Sequence, residues 1–241
     1  MGKTRRMSNE LLMQQAFFAD LGVLVLGDLM LDQYVEGTSD RISPESTVPV
    51  VDVANRWSTL GGAGNVALNL ARLGIATTLV GVLGDDQAGV SVQRIVEDEP
   101  NLKFLCVIDS DRPTTAKERV LVKGEQLVRL DIESRSAVSG TVEDDIVRTV
   151  EERLRNNGIQ CLVISDYAKG SVTRRVTSEA IRVARACNIP VLVDPKSNDL
   201  AMYAGATLVK PNFVEFSRYS DEKFDVDDDP EKLFKPAEEL R

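Results

Sequence analysis

The residues best suited to chemistry stand directly after short apolar runs. Gly27-Asp28 follows VLVL, with Asp32 four residues on. Ser165-Asp166 follows CLVI, and Asp194-Pro195-Lys196 follows VLV. Lys210-Pro211-Asn212 follows TLV, with Glu215 one helical turn later. If these runs are strands of an open parallel sheet, their carboxyl ends are where such a sheet binds ligands. Any one of these residues has an ordinary explanation, because Asp and Asn favour turns and helix N-caps. Four such strand ends together point to a site. Gly61-Gly62-Ala63-Gly64-Asn65 is a glycine-rich entry to a helix, where backbone can approach a ligand and amide groups favour anions. Lys117 and Arg119, two apart in TTAKERV, share one face of a strand, with Arg129 on the strand that follows. Such cations suit a phosphate; they equally suit a solvated face paired with Glu118, Glu125 or Asp131.

The elements that must position these residues alternate in type. Gly22–Gly27, Thr77–Leu83, Phe104–Ile108, Cys161–Ile164, Val191–Val193 and Ala206–Val209 read as strands. Asn65–Leu73 (closed by Gly74), Thr141–Asn156 (closed by Gly158), Thr173–Cys187 and a short segment from Phe213 read as helices. This rhythm predicts an α/β fold, a doubly wound and mostly parallel sheet covered on both faces. Two pieces break the rhythm: the Val48–Val53 segment and a hairpin of Arg119–Val122 with Leu127–Ile132. They predict a small separate sheet or β-lid, in segments near 34–56 and 104–133. Residues 1–20 read as an N-terminal helix ahead of one domain over 21–241, and the run from Asp221 as a solvated acidic loop. The glycine run also mimics a dinucleotide fingerprint, with Asp85 at the right distance. That reading is set aside because Asn55–Leu60 makes a poor strand leading into the glycines.

A net charge of −9 argues against a nucleic-acid partner. No apolar run approaches a membrane span, and the N-terminal segment reads as an amphipathic helix, not a leader. Three scattered cysteines predict reduced, buried thiols in a cytoplasm, and the absence of histidine removes His-based general bases.

Taken in order, LGDLMLDQYVEG, RISPESTVPVVDV, GGAGNVALNLARLG, TTAKERVLVKGEQLVRLD, SDYAKG, VDPK and VKPNFVEF resemble the ribokinase-type (PfkB-type) sugar kinases. Among these the likeness is greatest to the heptose 7-phosphate kinase domain of lipopolysaccharide core synthesis. The resemblance runs from about Gly22 to Phe216. It implies that Asp32, Gly61, Gly62 and Asn65 contact the sugar, and that Lys117 and Arg119 hold its phosphate. It implies that Asp166 and Lys169 line the site and that Asp194 and Lys196 lie nearer the nucleotide phosphates. Asn212 and Glu215 would organise Mg²⁺ and its waters, with Glu215 the metal-facing carboxylate and ATP the co-substrate. The β-lid would also form a homodimer contact. The family's G-A-G-D segment, which carries the catalytic base, is expected beyond Arg241, so the chain is expected to be inactive alone. The alternatives are a kinase of another sugar or nucleoside, or a non-catalytic sugar-binding or dimerising remnant.

Overall fold

The computed structural model describes residues 18, 20–156 and 158–219. The expected N-terminal helix, apart from residues 18 and 20, and the acidic segment from Asp221 lie outside the described residues. Strand β1 (Gly22–Gly27) is buried along its whole length, as an apolar run without alternation requires when both faces are covered. It pairs in parallel with β4 (Ala76–Leu83) on one side and β8 (Cys161–Ser165) on the other. Strands β5 (Leu102–Ile108), β9 (Val191–Asp194) and β10 (Leu208–Val209) complete a parallel sheet of order β10-β9-β8-β1-β4-β5.

Successive residues of β1 feed opposite cores. Val23 and Val25 pack with Ala67 and Leu68 of helix α1 (Ala63–Arg72) and with Val92 and Val96 of helix α2 (Gln87–Glu97). Leu24 and Leu26 pack with Ile146 and Val150 of helix α3 (Gly140–Arg155) and with Val176 and Ala180 of helix α4 (Arg174–Ala186). The doubly wound sheet predicted from the strand–helix rhythm is therefore present. Gly74, at φ 90°, follows α1 and donates its amide to the Ala71 carbonyl, as a left-handed C-terminal cap does.

The second sheet is larger than the sequence suggests. It has the order β3-β2-β6-β7, with β2 (Leu29–Ile42), β3 (Pro49–Gly62), β6 (Ala116–Val122) and β7 (Glu125–Ile132). Strand β2 pairs antiparallel with β3 and parallel with β6; β6 and β7 form the predicted hairpin. Lys123 and Gly124 turn that hairpin with φ of 52° and 82°, the left-handed pair a two-residue turn demands.

Three expectations are corrected here. The lid does not begin near residue 104: Leu102–Ile108 pairs with β4 in the main sheet, where Leu102 and Val107 are buried. A strand does run into the glycines, because β3 includes Asn55–Leu60; yet β3 pairs antiparallel with β2 in the lid and not with the main sheet, so no parallel β-α-β unit of the dinucleotide type is formed there. The three cysteines are free but half-buried rather than buried. Burial pushes the Cys106 thiol up to about 11. Among the described residues no helix is long and apolar enough to cross a membrane.

Candidate functional site

Strands β1, β8, β9 and β10 are neighbours, so the four polar strand ends do converge on one edge of the main sheet. The lid rises from that edge, because β2 begins two residues after β1 ends. Two of the converging carboxylates are buried and bind the protein's own donors. Asp28, 1% exposed, accepts from the Tyr167 amide at 2.8 Å, the Lys169 amide at 3.0 Å, the Ser171 amide at 3.1 Å and the Ser171 hydroxyl. It thereby shapes the SDYAKGS loop after β8. Asp166 accepts from the Ala168 amide at 2.7 Å, the Ser197 amide at 3.3 Å and the Tyr203 hydroxyl at 2.5 Å. Burial pushes the Asp166 carboxyl up against the hydrogen bond from Tyr203, and the neighbouring charge of Asp28 adds to the rise.

The register of the lid gathers one set of predicted residues. Asp32 on β2 lies opposite Thr59 and Lys117; Tyr34 lies opposite Trp57 and Arg119; Arg119 and Lys117 lie opposite Arg129 and Asp131. Alternation puts all of these on one face. Arg119 reaches the Asp32 carboxylate at 2.6 Å and sits 5.3 Å from the centre of the Tyr34 ring, which stacks on Trp57 at 5.0 Å. Gly61 is needed here, since a Cβ would strike the Asp32 carboxylate and Met30. Gly62, at φ 55°, turns the chain from β3 into α1, and a Cβ there would meet the Asp28 carbonyl. Asn65 is exposed on the first turn of α1 and accepts from Asn69 at 3.4 Å.

Lys117 pairs with Asp131 at 3.0 Å and with Glu133 at 3.5 Å, and Lys169 pairs with Glu133 at 2.7 Å. Arg129 and Arg135 complete the cluster through Asp131 and Glu133. The hydrogen bond from Lys169 holds the Glu133 carboxyl down to about 2 against its burial; those from Arg129 and Lys117 hold Asp131 down to about 2. Of the sequence's open choices for these cations, the Asp131 pairing is present. Glu133 was not foreseen: no spacing rule ties it to Lys169, and it follows β7 in a polar connection.

A second set lies at β9 and β10. Lys210 pairs with Asp194 at 2.9 Å, and Lys196 with Glu215 at 2.9 Å. Asn212 and Glu215 exchange backbone-to-side-chain bonds at 2.9 Å each way, a capping box at the start of helix α5 (Phe213–Tyr219). Burial works to raise the Glu215 carboxyl, but the Asn212 amide and Lys196 hold it below its ordinary value. Tyr167, also unforeseen, feels both sets: burial raises its phenol, and the charges of Asp194 and Asp32 act in the same sense. Among the described residues no cluster of three His, Cys, Asp or Glu side chains could cage a metal. A Mg²⁺ ion keeps several waters and needs only one or two carboxylates besides substrate phosphates. An ionised Glu215, with lone pairs to spare on both oxygens, fits that demand.

Residues 21–240 match the family model described as pfkB family carbohydrate kinase. A protein from Caulobacter sp. (strain K31), "Bifunctional protein HldE", is 46% identical over 195 residues, which are 81% of this chain and 39% of that protein. One of the same name from Hydrogenovibrio crunogenus is 42% identical over 223 residues, 92% of this chain and 45% of that protein. The chain thus spans about two-fifths of the length of these relatives. Among solved structures, phosphofructokinase-2 from Escherichia coli in complex with substrates and products superposes with a TM-score of 0.68 at 25% identity, over 91% of this chain and 68% of that one. Arabidopsis thaliana ribokinase complexed with ribose and ATP shares the fold, with a TM-score of 0.60 at 15% identity over 91% of this chain and 68% of that one.

Proposed function

Because the chain belongs to the pfkB family of carbohydrate kinases, we propose that it is the sugar-binding part of a kinase acting on a sugar that already carries a phosphate. The substrate in this reading is a heptose 7-phosphate, phosphorylated by ATP at its anomeric hydroxyl on the way to lipopolysaccharide core, in the cytoplasm.

The observation that carries this reading is a local excess of positive charge in an acidic chain. Lys117, Arg119, Arg129, Arg135 and Lys169 are five cations tied to only three carboxylates, Asp32, Asp131 and Glu133. Two positive charges remain, which matches the charge of a phosphate monoester near neutral pH. Asp32, fixed by Arg119 beside Gly61, accepts from the sugar hydroxyls, and Gly62 at the end of β3 and Asn65 on α1 bound the sugar. Asp166 shapes the floor from below. Asp194 and Lys196 face the transferring phosphates; Asn212 and Glu215 would hold Mg²⁺ and its waters. A bound Mg²⁺ would neutralise charge on the nucleotide phosphates. The protein's part is positioning: Asp28 and Asp166 set the floor, and the lid encloses the sugar.

The reverse face of the lid carries Val35, Val51, Val53, Val120 and Val128 around an open groove of about 530 Å³. That apolar face supports a homodimer joined lid to lid. A second reading, a phosphorylated sugar other than heptose, is favoured by the likeness to phosphofructokinase-2. Calorimetric titration with heptose 7-phosphate and with fructose 6-phosphate separates the two. Selective binding of the heptose is expected; preference for the fructose ester would transfer the assignment to the second reading.

A further inference from the structure

Glu133 belongs to no motif, yet it is the carboxylate on which lid and body meet. It follows β7 in the connection to α3. Its Oε2 stands 2.7 Å from the ammonium of Lys169, on the loop after β8, and 3.5 Å from that of Lys117, on lid strand β6. The side chains of Lys117, Glu133 and Lys169 are only 15%, 14% and 13% exposed, whereas Arg135 on the other carboxylate oxygen is 76% exposed. Fully exposed pairs contribute little, so the shielded bridge between the two lysines is the consequential part of this cluster. Among the described residues, Glu133 is the only acidic partner of Lys169. Two ammonium groups repel, and an anion between them is what keeps both facing one space.

We propose that Glu133 is the positioning residue of a phosphate subsite: by bridging Lys117 to Lys169 it turns both ammonium groups toward a single anion, the phosphate already present on the sugar. This rests on the sugar-phosphate reading given above. Each ammonium has three donors, so each lysine can give one hydrogen bond to the phosphate without leaving Glu133. The phosphate offers three acceptor oxygens and needs donors from more than one direction. A lysine on the lid and another on the body provide that, and their common tie to Glu133 means the ligand does not have to assemble them. The loop carrying Lys169 is fixed from behind, where Asp28 accepts the Lys169 amide at 3.0 Å and Arg112 donates to its carbonyl at 2.9 Å. The variable part of the subsite is therefore the lysine side chain that Glu133 holds.

The test is a set of calorimetric titrations of the 241-residue chain and its Glu133→Gln variant. The ligands are heptose 7-phosphate, heptose without the phosphate, and inorganic phosphate, at matched ionic strength. Glu133→Gln is expected to weaken both phosphate compounds about tenfold and to leave the phosphate-free heptose unchanged. Tighter phosphate binding by the variant would make Glu133 a competitor for the subsite and overturn the proposal. Equal weakening of all three ligands, or no change in any, would overturn it as well. If the wild-type chain binds inorganic phosphate in a Glu133-dependent way but binds neither heptose, the subsite stands and the sugar assignment fails. If the wild-type chain binds no phosphate compound, the subsite itself is refuted. Should the variant not fold, Lys169→Met in the same titrations asks the question from the other side, with the same selective loss expected.

Discussion

At the scale of single residues, Asp32 bears the heaviest demand. Its carboxylate is held by Arg119, pressed by Gly61, and faces the same side of the lid as Lys117. Asp32→Ala should abolish sugar binding while the chain stays folded, because the half-buried side chain belongs to neither core cluster. Circular dichroism melting beside a binding titration checks both halves; unchanged affinity would remove Asp32 from the site. Glu133 also predicts an acid dependence. Its folded carboxyl is held at about 2, below the ordinary 4.5, by Lys169 in the first place. A lowered carboxyl contributes stability that is present above the ordinary value and is lost as the pH falls from about 4.5 toward 2. Glu133→Gln should therefore melt lower than wild type at neutral pH and converge with it near pH 2. Parallel melting curves across that window would mean the bridge to Lys169 does not form.

At the scale of elements, the parallel sheet was legible and the lid was only partly so. Strands such as β1 and β4 are buried on both faces and appear as unbroken apolar runs. The lid strands are not: β7 is exposed along its whole length, and β3 is exposed or half-buried until Leu60. Strands with polar residues on both sides carry no period-2 signal, so NRWSTL reads as a poor strand although it is part of β3. The length of β2 was hidden for the same reason. Helix α2 was missed although its start is marked: Asp86 caps it, accepting the Gly89 amide at 2.8 Å, and also accepts the Thr114 amide at 2.8 Å. Among the candidate site residues, Asn212 and Glu215 were legible by their spacing, and their capping box explains that spacing physically. Asp28 was visible as a strand-end residue, but its work on the SDYAKGS loop depends on contacts distant in sequence. Asp28→Asn would replace an acceptor of four hydrogen bonds by an amide that faces donors with its own N–H. A loss of about 2–4 kcal/mol in unfolding free energy is expected, measured by denaturant titration. A loss below about 0.5 kcal/mol, within the range of an ordinary surface change, would show that the loop holds its shape without the clamp.

At the scale of the whole molecule, the contrast is between a chain of net charge −9 and a site with a positive excess. In the proposed reading the acidic surface repels anions in general while the lid face attracts one in a defined place, so that selectivity for a phosphorylated sugar would come from local pairing and not from overall charge. The two core clusters on either side of β1 carry the strand-end residues, while the lid sheet supplies Lys117, Arg119 and Arg129 and the loop after β8 supplies Lys169. The most direct test of this account is a pair of calorimetric titrations of the wild-type chain, one with heptose 7-phosphate and one with heptose, repeated at raised salt. The account predicts that the phosphate ester binds at least about tenfold more tightly and that salt erodes this advantage. Equal affinity for the two sugars, at either salt concentration, would contradict it.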